Sequence, residues 1–370
     1  MTLQYRAAVL HAAQTPMSIE TVTMTGLKPT DVLVRIRAAG LCHTDLEVID
    51  GSLRYPLPIV LGHEAAGIVE QVGPAARGVK AGDHVVLSWN PHCGHCFHCD
   101  RDAPILCEQY LGEGPKAVPF DGEGRTTLAD GRALQQLMFL GSFGEYCVVS
   151  DQQAIPVPKE IPFDRACLIG CGVMTGVGAA LNLGAIAHGD TVMVIGCGAV
   201  GLAAVQGARL AGAGAIIAVD LDPGKLVLAL KMGATSGVNA SKDDVVAAAK
   251  QQTGGRGADV VIEAAGSAAA FRITSEAVRA GGQIIWLGKI DVSKDVAFRW
   301  GSLMQEKRIR RVSYGNARPR RDFPLLARAY LDGALMLDEL ISRRIKLDEI
   351  NQGFDALKRG ETIRSVVMFD

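Results

Sequence analysis

The stretch Thr191-Val-Met-Val-Ile-Gly-Cys-Gly-Ala-Val-Gly201 decides the fold of the middle of this 370-residue chain. Its first five residues form an apolar run of buried-strand length, and its glycines follow the spacing G-x-G-x-x-G. A helical apolar pattern continues to Leu210, and a second apolar strand at 215–219 ends at Asp220. Strand, glycine turn, helix, strand and terminal acid follow the order of a βαβ unit, so the sequence predicts a doubly wound parallel sheet.

The glycines of this motif have physical roles if a dinucleotide binds there; the alternative is a purely structural glycine turn. Gly196 permits the tight turn, Gly198 lets the backbone approach the pyrophosphate, and Gly201 lets the helix pack closely. The free N–H groups of the helix N-terminus favour phosphates. Asp220 lies 19 residues after Gly201, placed for ribose hydroxyls, and it would repel a 2′-phosphate, so NAD is expected rather than NADP. The predicted cofactor contacts are Gly196, Gly198, Ala199, Val200, Gly201 and Asp220.

The alternation of strands and helices continues after this unit. Strands are predicted at 258–263 and 283–287, with a helix at 268–280 between them. The parallel domain is therefore expected to span 173–314. The remaining chain is predicted to form a helix at 323–332, a short segment around Ile345, a helix at 347–358 and a final strand at 365–369.

The chain before this unit is of β type. Short β-branched runs occur at 7–10, 31–37, 65–72 and 84–87, separated by Gly, Pro and Asp. Such spacing predicts a small, partly closed barrel. Residues 110–142 are rich in glycine and are expected to form a surface excursion with one hairpin, after which strands return at 142–149 and 154–157.

A cysteine cluster carries the most specific local signal. Cys93, Cys96, Cys99 and Cys107 have the spacing C-x2-C-x2-C-x7-C. Four thiolates so close can surround a tetrahedral ion and leave no open position, so a structural zinc is predicted in a lobe at about residues 91–110. The alternatives are an iron–sulfur cluster or unliganded thiols. The interleaved histidines are expected to be exposed bystanders: His92, His95 and His98.

A second candidate site spans Gly40-Leu-Cys-His-Thr-Asp45 and Leu61-Gly-His-Glu64, with fifteen residues of strand and turn character between them. Cys42 and His63 together suit zinc, but two ligands do not make a site. The residues alone do not choose a third ligand. Four further cysteines are available: Cys147, Cys167, Cys171 and Cys197.

Composition excludes some classes of function. A net charge of −1 gives no general reason to expect nucleic acid or membrane, and 48% hydrophobic residues are normal for a globular protein. Basic clusters at 307–311 and 318–321 are expected to be solvated surface. The nine cysteines are odd in number and the first ten residues lack a secretory apolar run, so a reduced, cytoplasmic protein is expected. Residues 166–189 and 191–208 lack charges, but their glycines argue against membrane spans.

Taken together, these motifs resemble the zinc-dependent medium-chain alcohol dehydrogenase family over nearly the whole chain. The resemblance rests on the two candidate zinc sites, on Gly170-Cys-Gly-Val-Met-Thr-Gly-Val-Gly178 and on the dinucleotide unit. It implies an α/β protein with a GroES-like, β-rich catalytic domain at 1–172, a Rossmann NAD-binding domain at 173–314, and a C-terminal part, 315–370, that completes the catalytic domain.

The resemblance also implies two zinc ions per chain and the residues of the catalytic one. Cys42, His63 and Cys171 would be its ligands. Asp45 would orient His63 through the other ring nitrogen. Glu64 would either approach the zinc when water exchanges or serve as a structural carboxylate.

Further roles follow from the same resemblance. Thr44 would accept the alcohol proton and pass it to the nicotinamide ribose, and Trp89 would line the substrate channel. Family members often carry histidine where this chain has Glu47. Glu47 is therefore a possible relay through water, although the proton could leave by another path and Glu47 could be merely exposed.

Three basic side chains are expected at the cofactor. Lys225 would lie near the adenosine ribose and Arg364 near the pyrophosphate. His43 replaces an arginine that other members place at the pyrophosphate. Because a neutral imidazole binds phosphate more weakly, faster NADH release is expected.

The sequence therefore predicts reversible oxidation of a primary alcohol, aromatic, allylic or long-chain, by NAD. One alternative is a thiol-dependent formaldehyde dehydrogenase acting on S-hydroxymethyl conjugates, and another is a non-catalytic NAD-binding structural protein. A zinc-finger nucleic-acid binder is disfavoured by the neutral charge and the single lobe. Family members are homodimers or homotetramers, so a homo-oligomer is expected, with no membrane partner.

Overall fold

The computed structural model describes residues 2–370; Met1, with which the predicted domain 1–172 begins, lies outside them. The chain divides into two compact units. The first unit comprises the described residues up to Cys171 together with Arg318–Asp370 and is called the catalytic unit after the predicted catalytic domain; the second unit is Gly172–Ala317. The predicted boundaries, 172 and 314, compare with observed boundaries of 171 and 317.

The N-terminal part of the catalytic unit is built mainly from strands. They are β1 (Thr2–Leu10), β2 (Ser18–Thr25), β3 (Asp31–Gly40), β4 (Ile59–Val60), β5 (Ala65–Val72), β6 (His84–Leu87), β7 (Thr126–Thr127), β8 (Gln135–Gln136), β9 (Tyr146–Ser150) and β10 (Ala154–Pro156). Its helices are α1 (His43–Ile49), α2 (Glu108–Glu113) and α3 (Phe163–Leu168).

The second unit alternates strands and helices. Its helices are α4 (Met174–Gly178), α5 (Ala199–Leu210), α6 (Pro223–Lys231), α7 (Val245–Gln251) and α8 (Ala268–Ala277). Its strands are β11 (Thr191–Ile195), β12 (Ala215–Asp220), β13 (Ser236–Asn239), β14 (Ala258–Glu263), β15 (Val278–Trp286) and β16 (Arg308–Arg311). All neighbouring pairs are parallel, in the order β13-β12-β11-β14-β15-β16, which is the doubly wound order.

The C-terminal segment completes the catalytic unit with α9 (Pro319–Leu331), β17 (Ile341–Ile345), α10 (Ile350–Lys358) and β18 (Arg364–Met368). β18 pairs antiparallel with β3, and β17 pairs with β18. The sheet order is β10-β6-β5-β3-β18-β17, with β9 also on β3, and a separate sheet has the order β7-β2-β1-β4-β8. Apolar side chains of these sheets form one buried core.

The structure corrects several predicted elements. The stretch after Asp45 is not strand and turn throughout, because α1 occupies its beginning. The predicted helix 268–280 ends at Ala277 and Val278 starts β15. Residues 110–142 are not merely a surface excursion: β7 and β8 pair with β2 and β4 respectively. Buried leucines there include Leu128, Leu134, Leu137 and Leu140.

One helical run passes the length and composition test for a membrane span. It covers Phe163–Leu183, and 78% of its most apolar window is buried inside the protein. Core helices of soluble proteins pass the same test, so this apolar run is explained by packing.

Candidate active site

Three side chains far apart in sequence converge in the catalytic unit. Ligand atoms of Cys42, His63 and Cys171 all lie within 4.8 Å of one another. Cys42 directly precedes α1, and His63 lies between β4 and β5. Cys171 lies in a π-helical turn, Ile169–Val173, that follows α3. The fold therefore selects one of the four cysteines among which the residues alone could not choose.

The other three cysteines lie in different surroundings. Cys147 is buried in β9. Cys167 donates through its thiol to the carbonyl of Asp164 at 3.3 Å, and Cys197 donates to the carbonyl of Val219 at 3.7 Å. These contacts are those of small buried side chains.

Asp45 holds the imidazole of His63. Its Oδ1 lies 3.1 Å from His63 Nδ1 and accepts the backbone N–H of Gly62 at 2.9 Å. Its Oδ2 accepts the N–H of Cys42 at 3.2 Å, which also caps α1. Asp45 and His63 are 0% and 1% exposed. Because Nδ1 faces a carboxylate, it keeps its proton, so Nε2 is the ring nitrogen that would bind a metal.

A buried ion pair lies beside this cluster. Arg364 Nε is 3.2 Å from Glu64 Oε1, and Arg364 also donates to the carbonyl of Leu41 at 3.0 Å. A side chain on Gly40 would collide with the Glu64 carboxylate, so glycine is required there. The family resemblance assigns Arg364 to the pyrophosphate, and that role stays a prediction; Glu64 and Leu41, its partners here, belong to the catalytic unit.

The electrostatics of the cluster favour a thiolate. The hydrogen bond from Cys171 lowers the pKa of Cys42 well below its usual value, against burial and with help from Arg364 and His63. The same bond raises the pKa of Cys171, and burial adds to this. Burial lowers the pKa of His63, but Asp45 and Cys42 outweigh it and raise the pKa. Two sulfurs and one imidazole nitrogen around a buried point fit zinc and leave a coordination position open.

The four-cysteine lobe brings its sulfurs together in the same way. The sulfurs of Cys93, Cys96, Cys99 and Cys107 lie within 4.8 Å of one another. The N–H of Cys93 donates to Cys107 Sγ at 3.2 Å, and that of Glu108 to Cys96 Sγ at 3.5 Å. The N–H groups of Glu108 and Cys99 lower the pKa of Cys96 to about 6. Within residues 2–370 all nine cysteines are free, so a closed tetrahedral metal site fits this donor set.

The predicted bystander histidines of the lobe lie outside the sulfur cluster. His95 is exposed, as expected. His92 and His98 are half-buried rather than exposed, and the backbone of His92 donates to Gln152 at 3.2 Å. Burial lowers the pKa of His92, so this ring stays neutral.

The glycine motif of the second unit has the geometry that a dinucleotide needs. Gly196 has a φ of 93°, and a side chain on Gly201 would overlap the carbonyl of Gly196. α5 begins immediately after Gly198, with Ala199 and Val200 in its first turn. Free N–H groups there favour an anion.

Asp220 ends β12 beside this turn. Its Oδ2 accepts the N–H of Cys197 at 2.7 Å and its Oδ1 the N–H of Asp222 at 2.9 Å. These bonds fix the carboxylate at the carboxyl end of the sheet, where such sheets bind ligands. Lys225, on α6, is half-buried. Burial raises the pKa of Cys197 to about 12, with Asp220 raising and Lys225 lowering it.

The remaining predicted residues lie in two places: on α1, and at Trp89, two residues after the end of β6. His43 is exposed at the start of α1, whereas Thr44 and Glu47 are half-buried on the same helix. Trp89 is half-buried, and its ring centroid lies 6.2 Å from that of Tyr110. Tyr110, which contacts Trp89, is not among the residues predicted from the sequence. The available signal is its position three residues after Cys107, which places it close to the lobe.

Comparison with known proteins identifies the family. Residues 28–159 match the alcohol dehydrogenase GroES-like domain, and residues 199–331 match the zinc-binding dehydrogenase family. An NDMA-dependent alcohol dehydrogenase of Amycolatopsis methanolica is 37% identical over 99% of both chains. An S-(hydroxymethyl)glutathione dehydrogenase of Saccharomyces cerevisiae is 37% identical, covering 98% of this chain and 96% of that protein.

A solved structure extends the likeness to three dimensions. The benzyl alcohol dehydrogenase of Acinetobacter calcoaceticus is 31% identical, covers 100% of both chains and superposes with a TM-score of 0.94. The chain belongs to the zinc-dependent medium-chain alcohol dehydrogenase family. It is an NAD-dependent oxidoreductase with zinc as a cofactor, and the predicted GroES-like and Rossmann folds are confirmed.

Proposed function

We propose that this enzyme oxidises a primary alcohol with an aromatic, allylic or long-chain substituent to the aldehyde, reversibly, with NAD. One observation carries the substrate class: the rings of Trp89, Tyr110 and Phe139 follow one another at centroid distances of 6.2 and 5.6 Å. In this aromatic wall Phe139 is fully buried behind the half-buried Tyr110 and Trp89, and an indole supported in this way would favour a large apolar substituent over a methyl group. Structural similarity to a benzyl alcohol dehydrogenase supports the same class.

In this proposal Cys42, His63 and Cys171 hold the catalytic zinc. When bound, zinc supplies a Lewis acid that favours the deprotonated alcohol. Asp45 keeps the proton of His63 on Nδ1, at 3.1 Å. Glu64 is held by Arg364 at 3.2 Å, which supports the structural role for its carboxylate. The four cysteines of the lobe hold a second, structural zinc.

Proton and hydride leave the alcohol by separate routes. Thr44, on the first turn of α1 and two residues after Cys42, would accept the hydroxyl proton and pass a proton on to the nicotinamide ribose. NAD⁺, when bound at the Gly196–Gly201 turn, supplies the hydride acceptor. Asp220 binds its ribose hydroxyls. Hydride removal from the carbon and proton removal from the oxygen together yield the aldehyde.

A thiol-dependent formaldehyde dehydrogenase is the second candidate, because an S-(hydroxymethyl)glutathione dehydrogenase is 37% identical to this chain. Comparing kcat/KM for benzyl alcohol and ethanol, and formaldehyde oxidation with and without glutathione, tests both. We expect a clear preference for benzyl alcohol. Preference for ethanol would overturn the aromatic assignment, and formaldehyde oxidation only with glutathione would establish the second candidate.

Two further properties are proposed from the family. The enzyme is cytoplasmic, and it is a homodimer or homotetramer. Light scattering after gel filtration measures the oligomeric state directly. His43, exposed at the start of α1, stands where other family members place an arginine, and the loss of that guanidinium permits fast NADH release. Tighter NADH binding by the His43→Arg variant would support this, and weaker binding would contradict it.

A further inference from the structure

The four-cysteine lobe is joined directly to helix α2. Cys107, its last cysteine, is the N-cap residue of α2. The first helical N–H, that of Glu108, donates to Cys96 Sγ at 3.5 Å, while Cys107 Sγ accepts the N–H of Cys93 at 3.2 Å. The beginning of the helix is therefore fixed by lobe sulfurs on two sides.

Few contacts besides these sulfurs hold α2, and one of them is the bond from Gln109 Nε2 to the Phe120 carbonyl at 3.1 Å. The helix is six residues long, and none of its residues is fully buried. Leu111, its largest aliphatic side chain, is 54% exposed. An isolated helix this short is not stable in water. Its position therefore depends on the contacts with other segments: the sulfur contacts at its start, the Gln109 bond to Phe120, and the ring contacts of Tyr110.

The ring of Tyr110 packs α2 against the other two rings of the aromatic wall, Trp89 and Phe139. Its ring centroid is 6.2 Å from that of Trp89, at an interplanar angle of 45°, and 5.6 Å from that of Phe139, at 52°. Phe139 in turn meets Phe120 edge-on at 5.5 Å. Tyr110 is half-buried; burial raises the pKa of its hydroxyl and outweighs a hydrogen bond with Asn90 that lowers it, so the hydroxyl stays protonated. A continuous contact path leads from the lobe sulfurs through Tyr110 to the indole of Trp89.

We infer that Tyr110 is a positioning residue through which the four-cysteine lobe sets the orientation of Trp89 and hence the affinity for aromatic alcohols. The lobe thus has a role in specificity besides stability. Disruption of the lobe would remove the sulfur contacts at the start of α2 and let the Tyr110 ring move away from Trp89. The inference rests on the proposed function only in taking Trp89 as part of the alcohol pocket.

The kinetic test compares Tyr110→Leu with Tyr110→Phe and a matched control, Tyr146→Leu. Tyr146 packs edge-on against Tyr5 at 5.8 Å, so its loss also removes an aromatic pair. We expect Tyr110→Leu to raise KM for benzyl alcohol about three- to tenfold with kcat nearly unchanged. Tyr110→Phe, which keeps the ring, and Tyr146→Leu should leave KM near the wild-type value. Equal KM in all variants would overturn the inference.

A spectroscopic test needs no turnover. The chain has three tryptophans, so the 19F spectrum of the 5-fluorotryptophan-labelled enzyme is assignable with Trp89→Phe. The Trp89 resonance should shift in Tyr110→Leu and in Cys96→Ser, whereas those of Trp286 and Trp300 should not. If Cys96→Ser does not fold, Tyr110→Leu decides alone. An unmoved Trp89 resonance refutes the coupling, and a wild-type enzyme inactive on every alcohol refutes the proposed function instead.

Discussion

Replacing Asp45 with asparagine is the sharpest test of the catalytic zinc site. The Asp45 carboxylate is 0% exposed and faces three N–H groups: His63 Nδ1 at 3.1 Å, and the backbones of Gly62 at 2.9 Å and Cys42 at 3.2 Å. A carboxylate accepts from all three. Asparagine has one oxygen and one NH₂ group, so at least one N–H must face a donor.

Both orientations of the new amide are unfavourable, for different reasons. With its oxygen at the Oδ1 position, Asp45→Asn keeps the His63 and Gly62 bonds and loses that of Cys42, which costs about 1–3 kcal/mol of stability. With its NH₂ at that position, the imidazole must carry its proton on Nε2, which blocks the ligand nitrogen. Losing a supporting group of this kind weakens metal binding by about 10–100-fold, or roughly 1.4–2.7 kcal/mol.

Zinc release to a chromophoric chelator measures the effect. We expect two zinc ions per chain, one retained as in the wild type and one bound about 10–100-fold more weakly in Asp45→Asn. Glu47→Gln is the matched control, because it makes the same chemical change two residues later on α1. Wild-type retention of both ions by Asp45→Asn would refute the reasoning, as would equal weakening in Glu47→Gln.

Three other predictions concern proton transfer, cofactor choice and acid stability. Glu47→Gln should leave the pH dependence of kcat/KM unchanged, because we expect the proton to leave by another path. Asp220→Ser should raise the NADP-to-NAD ratio of kcat/KM at least about tenfold, because it removes the carboxylate that repels a 2′-phosphate. Burial would raise the pKa of Asp164, but hydrogen bonds from Arg165 and from Arg344 at 2.7 Å outweigh it and hold the pKa below its usual range. That stabilisation is complete above about pH 3.9, the pKa of Asp in an unfolded chain, and is lost as pH falls through the lower pKa of the folded state. The urea midpoint of Asp164→Asn should therefore fall less steeply with decreasing pH than that of the wild type.

Each of these predictions has a control and a contrary result. A flattened pH–rate profile in Glu47→Gln would establish the relay. Asp222→Asn changes an exposed N-cap beside the same turn and should leave cofactor choice unaltered; an equal shift would show that general charge decides it. An acid transition in Asp164→Asn as steep as in the wild type would show that other carboxylates carry the pH dependence.

The sequence by itself determined the features whose causes are local. The Gly196–Gly201 motif specifies its turn because only glycine tolerates a φ of 93° and the close approach at Gly201. The lobe cysteines lie within fifteen residues of one another, so their spacing alone brings four sulfurs together. The alternation of strands and helices after 191 likewise predicted the parallel sheet.

Other local elements were missed because their cause is not apolar periodicity. α1 begins where Asp45 bonds back to the N–H of Cys42, and the same carboxylate serves His63. Helices α6 and α7 start at Asp222 and Asp244, whose side chains accept N–H groups of the first turn. The sequence signal of such caps is an Asp just before the first helical turn, which a search for apolar periodicity does not detect.

The tertiary structure decided which cysteine joins Cys42 and His63, because the residues alone left four open and only the family resemblance named Cys171. Cys171 lies 108 residues after His63 in the chain, and nothing local distinguishes it from Cys147 or Cys167. The fold brings its π-helical turn beside Cys42 and His63. Contacts between distant segments depend on how sheets and helices pack, and short-range sequence patterns do not encode that packing. The path from the lobe through Tyr110 to Trp89 arises in the same way, from rings that meet only in the folded chain.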